Sequence, residues 1–309
     1  MNQPVHSFKH LGFLPLTLKT QPDLEPFLQA HPQSISGYTF AMLMAWNHVY
    51  QYEWHFLTPR TLLVSYFSQD LNQRHFLQPI GFFDKDVEVI FSNLIKNLPY
   101  SAHMVGVTSE FCDTYFDFIK DHTQTEEPAS FNYIYHTQDL ATLAGHKYTK
   151  KRNLIHQAES LYQYTVHDLT PCCKPECIRI LSQIAAPNTD TDIPTSLKNE
   201  LQALETTMEH LAVLKQHGLM LKVDNKPVAF SIFEPINQQT MVIHFEKAER
   251  SYKGIYQLIN YETAKKISAL GYALINREED LGIAGLRQAK QSYFPCELKK
   301  VYRINLAKS

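Results

Sequence analysis

Two periodicities alternate along this chain, one of two residues and one of three to four, and they divide it into strands and helices. The second half reads most clearly. "YQYTVHDL" (162–169) alternates apolar and polar side chains as a half-buried strand does. Lys174 to Ala186 and Leu197 to His217 predict helices, the longer one stopped by Gly218. "LMLKV" and "VAFSIFEPI" flank Asp224 and Asn225, a pair suited to the tight turn of a hairpin. "TMVIHFEKA" (240–248) predicts a third strand. Gly254 to Leu270 is helical, with Ile255, Leu258, Ile259, Ile267 and Leu270 on one face and Gly271 as its stop. "YALIN", a helix over Ala284 to Tyr293 and the strand "LKKVYRINLA" complete the half.

The first half parses in the same order. "LPLTL" precedes helices near Asp23–Ala30 and Tyr38–His48, then the strands "YEWHFL", "TLLVSYF" and "HFLQPI". A helix over Val87–Leu98, the strand "HMVGV", a helix over Phe111–His122 and the strand "FNYIYH" follow. Each half thus reads β-α-α-β-β-β-α-β-α-β, although the two share almost no sequence identity. This predicts two tandem copies of one mixed-sheet α/β domain. Residues 1–145 form the first, degenerate copy, 146–161 a basic linking helix, and 162–309 the copy with the active site.

Composition narrows the picture. A chain of 309 residues suggests about two domains at roughly 150 residues each. With 44% apolar and 12% aromatic residues it can build packed cores, which excludes a disordered chain. A net charge of −2 gives no general basic field, so a nucleic-acid contact would need a local patch. No run of about 18 apolar residues occurs, so no transmembrane segment is expected. Met1 to Lys9 holds no leader-like apolar run. Five cysteines in a chain of this size suit a reducing compartment, and a cytoplasmic protein is expected. "PCCKPEC" places Cys172, Cys173 and Cys177 downstream of His167, but adjacent cysteines seldom share one tetrahedral ion. Ordinary thiols, and no metal, are expected there.

Candidate chemistry concentrates in the second half, because ligands of such sheets gather at C-terminal strand ends and helix N-termini. In "EKAERSYKGIYQLIN" a strand runs through a polar loop into a long helix. Free N–H groups at that helix start, a glycine that allows close approach, and the charges of Arg250 and Lys253 make an anion cradle at Gly254 and Tyr256. The matching loop of the first half, "GFFDKDVEV", carries Asp84 and Asp86, whose carboxylates satisfy such N–H groups and repel phosphate. A second place is "NREEDLGIAGLRQAK" (276–290), where a strand leaves the core on polar side chains. Asn276 and Arg277 are candidate substrate contacts, and Glu278 and Asp280 candidate bases, with Glu246 as a further one. Arg287 and Lys290, three apart on one helix face, are suited to a phosphate or a developing oxyanion. Lys147, Lys150, Lys151 and Arg152 form the densest positive run, either a solvated helix face or a contact for RNA or lipid phosphates.

The element order, with a glycine-bearing loop after the fourth strand, resembles the N-acetyltransferase (GNAT) fold, whose loop binds the donor's pyrophosphate through a pattern like Arg/Gln-x-x-Gly-x-Gly/Ala. Here "SYKGIYQ" has one glycine and places Tyr256 at the second small position. More specifically, "YTFAMLMAW", "LAGHKYTKKRN", "HFEKAERSYKGIYQLIN" and "NREEDLGIAGLRQAKQSYFP" are similar to the bacterial family of the phosphatidylglycerol lysyltransferase C-terminal domain. That resemblance implies tandem GNAT-like folds related to the Fem-type aminoacyltransferases. "GLRQAKQSYFP" matches the family's Gly-Leu-x-x-Phe-Lys-x-Lys-Phe-x-Pro segment, with Ala289 for the phenylalanine and Ser292 for the second lysine, and it implies a functional Lys290. The expected activity is transfer of an acyl or aminoacyl group to an amine or hydroxyl, with aminoacyl-tRNA the favoured donor. Acyl-coenzyme A is the alternative donor, and a non-catalytic binding protein the alternative role. The resemblance implies no tightly bound cofactor, a small-molecule or lipid-like acceptor, and room for peripheral membrane contact.

Overall fold

The computed structural model describes residues 6–185 and 194–306. They form two compact units, residues 6–132 with 279–283 and 299–306, and residues 133–278 with 284–298. Among the described residues no helix is long and apolar enough to cross a membrane.

The first unit opens with β1 (Leu14–Pro15), α1 (Gln21–Ala30), α2 (Phe40–Ala45) and α3 (Asn47–Tyr50). Next come β2 (Glu53–Thr58), β3 (Thr61–Ser68), β4 (Gln73–Leu77), β5 (Ile80–Gly81), α4 (Lys85–Lys96) and β6 (His103–Thr108), then α5 (Ser109–Thr114), α6 (Phe116–Ile119) and β7 (Thr123–Glu126). Helix α4 forms because Asp84 caps it, accepting from the Val87 N–H at 3.1 Å, and because Val87, Phe91 and Ile95 recur every four residues on its buried face. The sheet runs β1-β2-β3-β4-β6, then the chain's last strand (Val301–Asn305), then β7. Strands β4 and β6 are parallel and pair only at Phe76–Met104 and Leu77–Val105. Beyond that point Tyr38 fills the gap. Its hydroxyl accepts from the Gln78 N–H at 3.0 Å and donates to the Gly106 carbonyl at 2.9 Å.

The second unit contains β8 (Asn132–His136), α7 (Thr137–Thr142), α8 (Thr149–Leu161), β9 (Tyr164–Asp168), α9 (Lys174–Ala185) and α10 (Thr195–His210). It continues with β10 (His217–Val223), β11 (Lys226–Pro235), β12 (Thr240–Ala248), α11 (Ile255–Ala269), β13 (Leu274–Asn276), α12 (Ala284–Gln291) and β14 (Glu297–Lys299). Its order, β14-β8-β13-β12-β11-β10-β9, repeats the pairing scheme of the first sheet, with one parallel pair, β12 with β13, at the same place. Asp224 and Asn225 both adopt positive φ, 49° and 66°, as the predicted tight hairpin between β10 and β11 requires. Each unit is therefore one mixed α/β GNAT-like sheet, and the tandem fold read from the sequence holds.

Some details differ from the sequence reading. "FNYIYH" lies in the second sheet as β8, and the last strand of the chain lies in the first. The break expected at residue 145 thus gives way to units that exchange a strand. Either strand supplies the same alternating face, so local pattern did not distinguish the two sheets. The basic linker is α8, part of the second unit, with Ile155 and Ala158 buried in its core. The helix expected to reach His217 ends at His210. Gly218 is a strand residue, and a Cβ there would stand 2.8 Å from Leu169 and from the Ser231 carbonyl oxygen. Ala186, the expected end of the helix from Lys174, lies outside the described residues.

Candidate active site

The ladder between β12 and β13 ends at the pair Val242–Asn276, while β12 runs on to Ala248. The two strands part there, and Arg277 and Glu246 face each other across the gap. A register shift between Ile232 and Phe233 sets two β12 residues against Phe233, a β-bulge at Ile243–His244. The bulge reverses the alternation beyond it, so Glu246 shares the face of Met241 and Ile243 and meets α11.

The pair is buried, with side chains 6% and 9% exposed, and Arg277 Nη2 donates to Glu246 Oε1 at 2.6 Å. Asn260, from α11, donates to Glu246 Oε2 at 2.9 Å. The Tyr256 hydroxyl donates to the Glu246 carbonyl at 3.2 Å. Aromatic rings enclose the guanidinium, whose carbon lies 4.9 Å from the Tyr293 ring centre and 5.7 Å from that of Tyr135. Burial acts to lower the Arg277 pKa, but the Glu246 charge together with the neighbouring Tyr135, Tyr293 and Tyr256 outweighs it and the net shift is upward. Three buried polar atoms here have no hydrogen-bond partner: Arg277 Nη1, the Tyr293 hydroxyl and Asn260 Oδ1. Buried polar groups are nearly always paired, so three together single this place out as the candidate binding site.

Helix α12 is pinned beside this cluster. The Tyr135 hydroxyl donates to the Lys290 carbonyl at 2.8 Å and the Tyr148 hydroxyl to the Tyr293 carbonyl at 3.0 Å. Lys290 is 7% exposed and its ammonium donates to the Arg277 carbonyl, so it holds the arginine's backbone. Lys151, from α8, donates to Ser292 Oγ at 2.6 Å and lies 4.1 Å from the Tyr293 ring centre. Ser292 stands where the resembling segment carries its second lysine, and an ammonium from α8 arrives there instead. Burial, and then the Arg277 charge, lower the Lys151 pKa to about 8.

The structure gathers Glu246, Arg277, Lys290, Tyr256 and Lys151 and gives the other candidates different work. Glu278 is not a free base. Its carboxylate and that of Glu234 clamp His244, with 2.7 Å to each ring nitrogen. Asp280 belongs to the first unit, is fully buried, and accepts from the Gly282 N–H at 2.8 Å to shape a turn. Asn276 is likewise a turn former, accepting from the Glu278 N–H at 2.7 Å. Arg152 turns inward onto the carbonyls of Leu143 and Gly145. Lys147 pairs with Asp139 at 3.4 Å and Lys150 is exposed, so the basic run is not one continuous patch. Arg287 is half-buried on α12, and Arg250 and Lys253 are exposed on their loop.

The loop expected to cradle phosphate is shaped by helix packing. Gly254 has φ +80°, and a Cβ there would stand 2.2 Å from the Leu154 carbonyl oxygen of α8. Helix packing therefore demands the glycine. The Lys253 N–H already donates to the Tyr162 hydroxyl at 3.1 Å, and the Ile255 N–H to the Tyr252 carbonyl at 3.4 Å. Sequence reasoning missed Tyr135, Asn260, Tyr293 and His244. His244 and Asn260 lay in the quoted "HFEKAERSYKGIYQLIN" and Tyr293 in "NREEDLGIAGLRQAKQSYFP", whereas Tyr135 sits on a strand that only folding brings to the site.

A family model described as "Phosphatidylglycerol lysyltransferase, C-terminal" matches residues 29–305. No curated protein matches the chain. Among solved structures, a conserved protein of unknown function from Bacteroides thetaiotaomicron is 30% identical, with a TM-score of 0.85 over 96% of this chain and 99% of that one. L-PGS from Bacillus licheniformis is similar in fold at 15% identity, with a TM-score of 0.66 over 93% of this chain and 92% of that one. FemX is similar in fold at 7% identity, with a TM-score of 0.63 over 96% and 97%.

Proposed function

The chain belongs to the family of the phosphatidylglycerol lysyltransferase C-terminal domain, and from that premise we propose that it is an aminoacyltransferase acting at the Glu246–Arg277 gap. The observation that carries this reading is the unpartnered carbonyl oxygen of Asn260 beside the Glu246 carboxylate. A carboxylate and an amide oxygen together suit an α-ammonium, which an aminoacyl donor has and a simple acyl donor lacks. With the ammonium held there, the ester carbon of an aminoacyl-tRNA reaches the stretch of β12 beyond Val242, where backbone N–H groups on the β13 side have no strand partner to meet. An acceptor amine or hydroxyl attacks that carbon, the bond to the ribose oxygen breaks, and the departing oxygen takes up the acceptor's proton. Lys290 and Tyr256 act as positioning residues through the backbones of Arg277 and Glu246. An acyl-coenzyme A donor loses support, because packing explains Gly254 and two loop amides are already bonded.

The test is a single-turnover assay with labelled aminoacyl-tRNA pools and acceptors that include lipid vesicles and small amines, beside labelled acetyl-coenzyme A. Label should move from tRNA to an acceptor, and Asn260→Leu should slow transfer while leaving the fold intact by circular dichroism. Transfer from acetyl-coenzyme A alone, or from neither donor, would overturn the reading.

A further inference from the structure

The transfer reading leaves two of the three unpartnered atoms unused. Arg277 Nη1 and the Tyr293 hydroxyl are both buried and both able to donate, on side chains in contact with each other. The arginine side chain is 9% exposed and Tyr293 is 3% exposed, so neither donor faces bulk water. Lys151 lies on the same ring and donates to a hydroxyl, and among the described residues no carboxylate pairs with it. Glu246 balances Arg277, whereas Lys151 meets no opposite charge among the described residues. Two donors and an uncompensated cation call for an oxyanion, and a guanidinium fork suits a carboxylate or a phosphate better than a neutral carbonyl.

We propose that Arg277, Tyr293 and Lys151 form an anion-binding subsite in the second unit, which docks a carboxylate or phosphate group of the substrate one ring away from Glu246. The subsite rests on the transfer reading only for which substrate brings the group. A carboxylate would come from the side chain of an acidic aminoacyl group, and a phosphate from the acceptor. In either case a cationic side chain such as lysyl is disfavoured at this position, because it would meet Lys151 and Arg277 as like charges. The lowered Lys151 pKa agrees, since a cation that is partly buried first, and then crowded by Arg277, releases its proton early when no counter-ion opposes both effects.

The full chain is titrated with inorganic phosphate, with N-acetylaspartate amide and with N-acetyllysine amide, while NMR follows the ionisation of Lys151. Phosphate or the aspartate probe should raise the Lys151 pKa by about one unit or more, as an opposite charge at contact does. Tyr293→Phe, which keeps the ring, and Lys151→Gln should each weaken binding by about tenfold, as loss of one charge-assisted bond does. Affinity should fall as pH rises past the Lys151 pKa. A response to phosphate alone identifies an acceptor phosphate, and a response to the aspartate probe alone identifies an acidic aminoacyl group. An unmoved Lys151 titration with both anions, or preferential binding of the lysine probe, would overturn the subsite. Transfer observed without anion binding rejects the subsite and keeps the transferase, and the opposite result does the reverse.

Discussion

Replacing His244 by glutamine tests the buried clamp that fixes the chain immediately after Arg277. The imidazole is 1% exposed, and its two nitrogens each lie 2.7 Å from a carboxylate, Nε2 from Glu234 and Nδ1 from Glu278. A neutral imidazole donates from one nitrogen only, so both bonds require the imidazolium. Burial acts to lower its pKa, but the hydrogen bonds to Glu234 and Glu278 prevail and raise it to about 10. Against an ordinary value of about 6.5, each unit of rise is worth about 1.4 kcal/mol, which sets a ceiling of about 5 kcal/mol. The folded value is the raised one. The stabilisation is therefore complete below the unfolded pKa and is lost as pH rises toward the folded one. Urea unfolding between about pH 6 and about pH 9 should show the wild type losing up to about 3 kcal/mol more than His244→Gln. Parallel pH profiles for the two proteins, or an imidazole that titrates near its ordinary value by NMR, would refute the clamp.

Other outcomes follow from the same contacts. Arg277→Met should destabilise the chain by about 3–5 kcal/mol by leaving Glu246 buried and unpaired, and adding Glu246→Leu should restore much of that, both measured by urea denaturation. Gly254→Ala should cost more than about 1 kcal/mol, from its positive φ and the Leu154 carbonyl. A donor-binding glycine would instead show lost donor affinity at unchanged stability. Tyr38→Phe removes the hydroxyl that bridges Gln78 and Gly106 and should cost about 1–3 kcal/mol, read as a lower urea midpoint.

Much of the fold was legible. Helix α4 announced itself through Asp84 and the spacing of Val87, Phe91 and Ile95, and the β10–β11 hairpin through Asp224 and Asn225. Both are local devices in which a few neighbouring residues settle the backbone. The site was legible in part. Glu246 and Arg277 stood out as charged residues at the ends of apolar runs, and Lys290 through its helix-face spacing and the family resemblance, and the structure gathers them. Glu278 and Asp280 looked equally reactive from the same signal, yet one is held by a histidine and the other by a turn.

The sequence by itself determined the period of each element, most turns, and the presence of two similar sheets, because these depend on residues a few positions apart. Only the tertiary structure decided which sheet receives "FNYIYH", that Gly254 serves helix packing, and which charged groups have partners. Those outcomes rest on contacts such as Tyr135 to Lys290 or Lys151 to Ser292, between residues more than a hundred positions apart. Charge and hydrogen-bond satisfaction are set by the three-dimensional neighbourhood, and no local pattern encodes it.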